Sequence, residues 1–130
     1  MSADTLPGAH PSSRASSIPA ELEAFFEMAQ RWDLSTEQQI ILLGSPGRST
    51  FFKWKKEGGS LPRDTGERLS HLLAIWKALR ILFTDDRRGE EWMLRPNDFF
   101  DGESALEVML RGGMADILAV RQYLDAQRGG

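Results

Sequence analysis

The chain has 130 residues, of which 41% are hydrophobic and 27% charged, with a net charge of −3. These values are ordinary for a soluble globular protein, and the length supports one domain or two small ones sharing a core. The absence of cysteine excludes a disulfide framework and any cysteine nucleophile or metal site. No apolar stretch is long enough for a signal peptide or a bilayer span, so a cytoplasmic location is expected, with no membrane partner.

Met1 to Pro19 is rich in Ser, Ala, Pro and Gly and poor in large apolar residues. Such a segment cannot bury enough surface to offset its ordering entropy, so a disordered tail is expected. His10 lies within it without a metal-binding companion. Ile18-Pro19 leads into a helix from about Ala20 to Arg31, where Leu22, Phe25, Phe26 and Ala29 form an i, i+3, i+4, i+7 stripe.

Ser35 to Glu57 has the pattern of a helix-turn-helix. Ser35 with Gln38 makes a capping-box start. Ile40 to Leu43 supply the buried side of a short helix, and Gly44 stops it. Ser45-Pro46 is read as an N-cap followed by a residue pre-set for the first helical position. In the second helix Phe51 and Trp54 share an inner face, while Phe52 fits either side. Four cations and no carboxylate lie between Ser45 and Lys56. The candidate DNA contacts are Arg48, Ser49, Thr50, Lys53, Lys55 and Lys56. A charge cluster is often only a solvated helix face. Here a tight turn, an apolar inner face and a basic outer face coincide, as a major-groove helix requires.

Gly58 to Pro62 is a loop. Asp64 to Phe83 is the longest expected helix, with Leu69, Leu72, Leu73 and Trp76 inward and His71 at the edge of the apolar arc. Its end, Ala78 to Phe83, is apolar almost all round, which predicts burial in the core or at a dimer interface. A further helix runs to about Leu94, its N-terminus matched by Asp85-Asp86 and Trp92 inward. Pro96 to Gly102 is a structured loop anchored by Phe99 and Phe100. Glu103 to Arg111 is a short helix stopped by Gly112-Gly113. The last helix, Met114 to about Gln127, carries Met114, Ile117, Leu118, Val120 and Leu124 on one side; Arg121 falls within that stripe and Tyr123 away from it. No strand-length alternation is visible, so the expected class is all-α.

Charge is unevenly divided. Through Thr84 there are ten cations and nine carboxylates; from Asp85 onward there are six and ten. A near-neutral half with a basic helix joined to an acidic half implies two surfaces with two partners. Catalytic patterns are weak. Asp85-Asp86 and Glu90-Glu91 are neighbours about 100° apart on a helix and form no acid/base pair. No phosphate loop, nucleophile triad or metal-ligand spacing is present, so neither an enzyme nor a metal or cofactor site is expected.

The second half adds a resemblance. Ile81-Leu82-Phe83, Trp92, Pro96-Asn97, Gly102, Leu106-Glu107-Val108-Met109 and Gly112-Gly113, followed by an amphipathic helix, resemble the Xre/MbcA/ParS antitoxins, partners of RES-domain toxins. The chain departs from the usual pattern at Thr84, at Ser104-Ala105 and at Gln127. The resemblance runs from about Ala20 to the end. It implies an all-α fold: a helix-turn-helix domain with a long connecting helix over 20–83, then a small toxin-binding domain over 84–130. It further implies a homodimer within a larger complex and binding to its own operator DNA. The RES-domain toxin it would block consumes NAD or uses it to ADP-ribosylate a target. Obstructing such a cleft calls for a protruding element, and the last helix supplies Arg121, Tyr123, Gln127 and Arg128 as candidate toxin contacts; Arg and Tyr are enriched in binding hot spots. The competing reading is a free-standing transcriptional regulator whose C-terminal half dimerises or binds a ligand.

Overall fold

A computed structural model describes residues 18–129. The tail expected over Met1–Pro19, with His10, lies outside the described residues up to residue 17. Among the described residues seven helices follow in order: α1 (Ala20–Arg31), α2 (Thr36–Leu42), α3 (Arg48–Glu57), α4 (Arg63–Leu82), α5 (Asp86–Leu94), α6 (Ala105–Met109) and α7 (Met114–Gln127). A single 3₁₀ turn, Asp98–Phe100, sits between α5 and α6. Among the described residues there is no strand, only an isolated antiparallel bridge between Pro96 and Ser104. The fold is all-α: a helix-turn-helix module, then a smaller helical unit.

The helix ends follow from local chemistry. α1 closes with the N–H of Leu34 bonded to the carbonyl of Ala29 (2.9 Å) and that of Asp33 to Gln30 (3.1 Å), with Asp33 at φ 56°. This is a Schellman closure, which uses up orphan carbonyls of the last turn. α2 opens on the expected capping box: Gln38 N–H donates to Ser35 Oγ (3.1 Å), and Ser35 N–H donates to Gln38 Oε1 (2.9 Å).

The turn after α2 differs from the sequence reading at one residue. Gly44 has φ +98° and Ser45 φ +60°. Ser45 N–H bonds to Ile40 carbonyl (2.9 Å), and Gly44 N–H to Ile41 carbonyl (3.1 Å). Ser45 therefore completes a second Schellman closure on α2 rather than capping α3. Gly47 is the N-cap of α3, two residues later than expected.

α4 is the spine. It packs most extensively on α7, then on α1, and also on α5. Leu69, Leu72, Ile75, Ala78 and Leu79 are buried along it, and join Leu22, Phe25, Met28, Phe51, Met93, Met109, Ile117 and Val120 in one continuous core. The end of α4 is less uniform than expected. Ala78 and Leu79 are buried and Leu82 and Phe83 half-buried, but Ile81 is 53% exposed. α6 is shorter than expected, Ala105–Met109, and starts on a second capping box between Ser104 and Glu107.

Candidate functional site

The first candidate surface is the outer face of α3. Phe51 is fully buried and Trp54 is 6% exposed, and the ring of Phe51 meets Phe26 of α1 edge-on at 5.8 Å. These two side chains fix the helix to the module. At 100° per residue the face opposite them is Ser49, Lys53 and Lys56, all exposed. Phe52 and Arg48 flank that strip. Phe52 is 42% exposed, with the Arg48 guanidinium 5.5 Å from its ring centroid. Arg48 also pairs with Glu37 of α2. Both partners are well exposed, so the pair contributes little stability and leaves Arg48 able to exchange Glu37 for a phosphate.

The other two candidates lie at the borders of the strip. Lys55 Nζ sits 5.6 Å above the ring of Phe26, in a hollow shared with Glu27 and Asp33. Thr50 lines the opposite hollow with Gly44, Pro46 and Trp54. The structure thus brings Ser49, Lys53 and Lys56 onto one face with Arg48 at its flank, and sets Thr50 and Lys55 further round on either side.

The second candidate surface is α7. Ile117, Val120 and Leu124 are buried, and the four sequence candidates divide about that stripe. Arg121 and Arg128 fall on one flank, Tyr123 and Gln127 on the other. Arg121 is two-thirds buried. It contacts His71 Nδ1 of α4 at 2.8 Å and pairs with Asp125 at 3.6 Å. Its apolar-stripe position is explained by that contact: the charge is met by an imidazole from the neighbouring helix. Arg128 reaches Asp125 at 3.9 Å. Gln127 is exposed.

Tyr123 is half-buried in an aromatic cluster. Its ring stacks on Trp92 of α5 at 5.9 Å and approaches Phe99 at 4.5 Å and Phe100 at 5.5 Å. The sequence reading has both Phe residues anchoring their loop. Phe100 does, at 8% exposure, but Phe99 is 64% exposed. Trp92 is half-buried and packs against the core, as its inward reading requires, with part of its surface left open. Phe99 has no distinguishing mark in the sequence beyond its neighbour; only the 3₁₀ turn separates the two rings.

Among the described residues no group of His, Asp or Glu is arranged to hold a metal, and no helix is long and apolar enough to cross a membrane.

Comparison with known proteins matches the two halves of the chain to named domains. Residues 12–74 match the antitoxin Xre-like helix-turn-helix domain. Residues 78–130 match the antitoxin Xre/MbcA/ParS C-terminal toxin-binding domain. The first stretch ends and the second begins inside α4, with three residues between them. The chain is also 69% identical over 123 residues, 95% of each chain, to the uncharacterized protein y4oB of Sinorhizobium fredii (strain NBRC 101917 / NGR234). The two matches, which together span nearly all of the chain on either side of the middle of α4, show that it belongs to the Xre/MbcA/ParS antitoxin family.

Proposed function

We propose that this antitoxin neutralises a RES-domain toxin, one that consumes NAD or uses it to ADP-ribosylate a target, and represses its own promoter as a homodimer in the cytoplasm. The observation that carries the reading is the division of the molecule into two differently charged surfaces on one spine. α3 presents Arg48, Ser49, Lys53 and Lys56 outward, with Thr50 and Lys55 at its edges. This is the arrangement that lets a recognition helix meet phosphates with its cations and base edges with its polar residues. The unit from Asp85 onward carries net −4 and ends in an exposed α7 terminus. Arg121, Tyr123, Gln127 and Arg128 supply the toxin contacts there, Arg121 from the third of its side chain that remains exposed. The antitoxin acts by occupying the toxin's cleft and performs no catalysis of its own.

The test has two arms. A RES-domain toxin gene is expected beside this one; co-expression with its product should restore growth, and the purified chain should retard a fragment of its own promoter in a gel shift. A chain that binds the promoter but rescues no adjacent toxin is instead a free-standing regulator. A chain that rescues without binding the promoter is an antitoxin without autoregulation.

A further inference from the structure

We infer that the toxin docks on the aromatic knob formed by Phe99 and Tyr123, with Phe99 as the inserted anchor. The inference rests on the toxin-neutralising reading above and gives it a location.

Within the matched toxin-binding unit, Ile81, Leu94 and Phe99 are the large apolar side chains left more than half exposed among the described residues, and Phe99, at 64%, is the most exposed. A single exposed apolar side chain is ordinary, but Phe99 is continuous with Tyr123 and Trp92, both half-buried, and a contiguous aromatic patch of this kind marks an interaction surface. Phe99 is held outward by construction. Asn97 caps the 3₁₀ turn by accepting from Phe99 N–H (2.8 Å). Phe100, next in the chain, takes the inward position and meets Phe99 edge-on at 5.2 Å. Tyr123, stacked on Trp92, backs the exposed ring at 4.5 Å. The ring is thus pre-positioned on a rigid aromatic base, and little ordering entropy remains to be lost on binding.

Charge argues for the occupant. Asp98 and Asp101 bracket Phe99 in the same turn. Both are exposed, and neither pairs with a cation among the described residues. An apolar centre with an acidic rim fits a protein pocket with a cationic rim. It does not fit nucleic acid, which the carboxylates repel. On α7 the knob is continuous with Tyr123 and Gln127. The Arg121 and Arg128 flank is instead engaged with His71 and Asp125. The knob side is therefore the centre of the contact and the arginine side its periphery.

The experiment measures binding of the full-length chain to the adjacent RES-domain toxin by calorimetry, together with melting temperature, promoter affinity and oligomeric state. Phe99→Ala should weaken toxin binding at least tenfold, while Phe99→Tyr retains most of it. Melting temperature should fall by only a few degrees, from the lost ring contacts to Tyr123 and Phe100, and promoter affinity should not move, because most of the ring is solvated in the free protein. Asp98→Lys with Asp101→Lys should slow association severalfold at low salt, with the difference shrinking as salt is raised. Unchanged toxin affinity in Phe99→Ala overturns the inference while leaving the antitoxin reading intact. A change in oligomeric state without a change in toxin affinity also overturns it, assigning the knob to a second copy of the chain. Failure of the wild-type chain to bind the toxin at all overturns the reading on which the inference rests.

Discussion

Gly44→Ala probes the turn that aims the recognition helix, and its cost can be worked from the geometry. Gly44 lies at φ +98°, where a Cβ meets steric resistance of about 1–2 kcal/mol. The added Cβ would also stand 2.8 Å from Asp64 Oδ2 and 3.1 Å from Arg68 Nε. The Asp64 side chain is half exposed and can swing away. Doing so removes it from Arg68, to which it bonds at 2.8 Å. Arg68 is only 8% exposed, and its Nη1 has no hydrogen-bond partner. Loss of one partner of a buried pair costs about 3–5 kcal/mol; with Asp64 at the surface, roughly half of that is expected here. The sum is about 2.5–4.5 kcal/mol, a fall in melting temperature of roughly 10–15 °C for a fold of this size.

Gly59→Ala is the control. Gly59 also has positive φ, +112°, but its Cβ would meet nothing within 4 Å, so it isolates the backbone term. The expected order is Gly44→Ala well below Gly59→Ala, measured by thermal and urea denaturation. Gly44→Ala and Asp64→Ala should also be less than additive, because the first already displaces the carboxylate that the second deletes. Equal destabilisation by the two glycine variants would refute the argument that the ion pair is strained by the new methyl group.

On the DNA side, Arg48→Ala with Lys53→Ala should weaken promoter binding and lower the salt slope by about one unit for each phosphate left without its cation; a base-reading side chain would instead relax sequence preference at about 1–3 kcal/mol. Leu79→Asp, at a buried position, should unfold the chain or cost several kcal/mol. Ile81→Asp, half exposed two residues on, should leave the melting temperature nearly unchanged in dilute protein while weakening self-association in analytical ultracentrifugation. A double-mutant cycle on His71→Ala and Arg121→Ala should return a coupling of about 1–2 kcal/mol; a value near zero would show that the 2.8 Å contact does not hold α7 to α4. Removing residues 126–130 should reduce toxin neutralisation with little loss of stability, scored by growth rescue and circular dichroism. Removing everything from Tyr123 onward should unfold part of the core, because Leu124 is 1% exposed.

The features legible in the sequence are those that depend on neighbouring residues. The Ser35–Gln38 capping box, the stop at Gly44 and the inner face of Phe51 and Trp54 are all decided within one or two turns of helix. Ser45 reads as an N-cap because its residue type suits one, while the positive φ it adopts has no signature in a serine. Phe99 and Phe100 are adjacent and identical, so composition does not say which ring turns inward. Arg121 lies in an apolar stripe for a reason fifty residues away, the imidazole of His71. The split of the α7 candidates onto two flanks follows from helical spacing alone, but its meaning requires Trp92 and Phe99 to be placed beside Tyr123.

The two surfaces converge on α4 through specific polar contacts as well as packing. Near its start, Thr65 Oγ1 donates to the carbonyl of Leu43 (3.2 Å), closing the end of α2 at the turn before α3. One turn on, Arg68, bonded back to Asp64, sits against Gly44. One turn further, His71 holds Arg121 of α7. Three successive turns of one helix therefore secure the recognition-helix turn and the last helix. The buried residues between them belong to one continuous core rather than two. A substitution on the inner face of α4 should consequently disturb DNA binding and toxin binding together. Substitutions on the outer faces of α3 and α7 should separate them. On the proposed reading the surface residues divide the labour, and the spine makes their stability common.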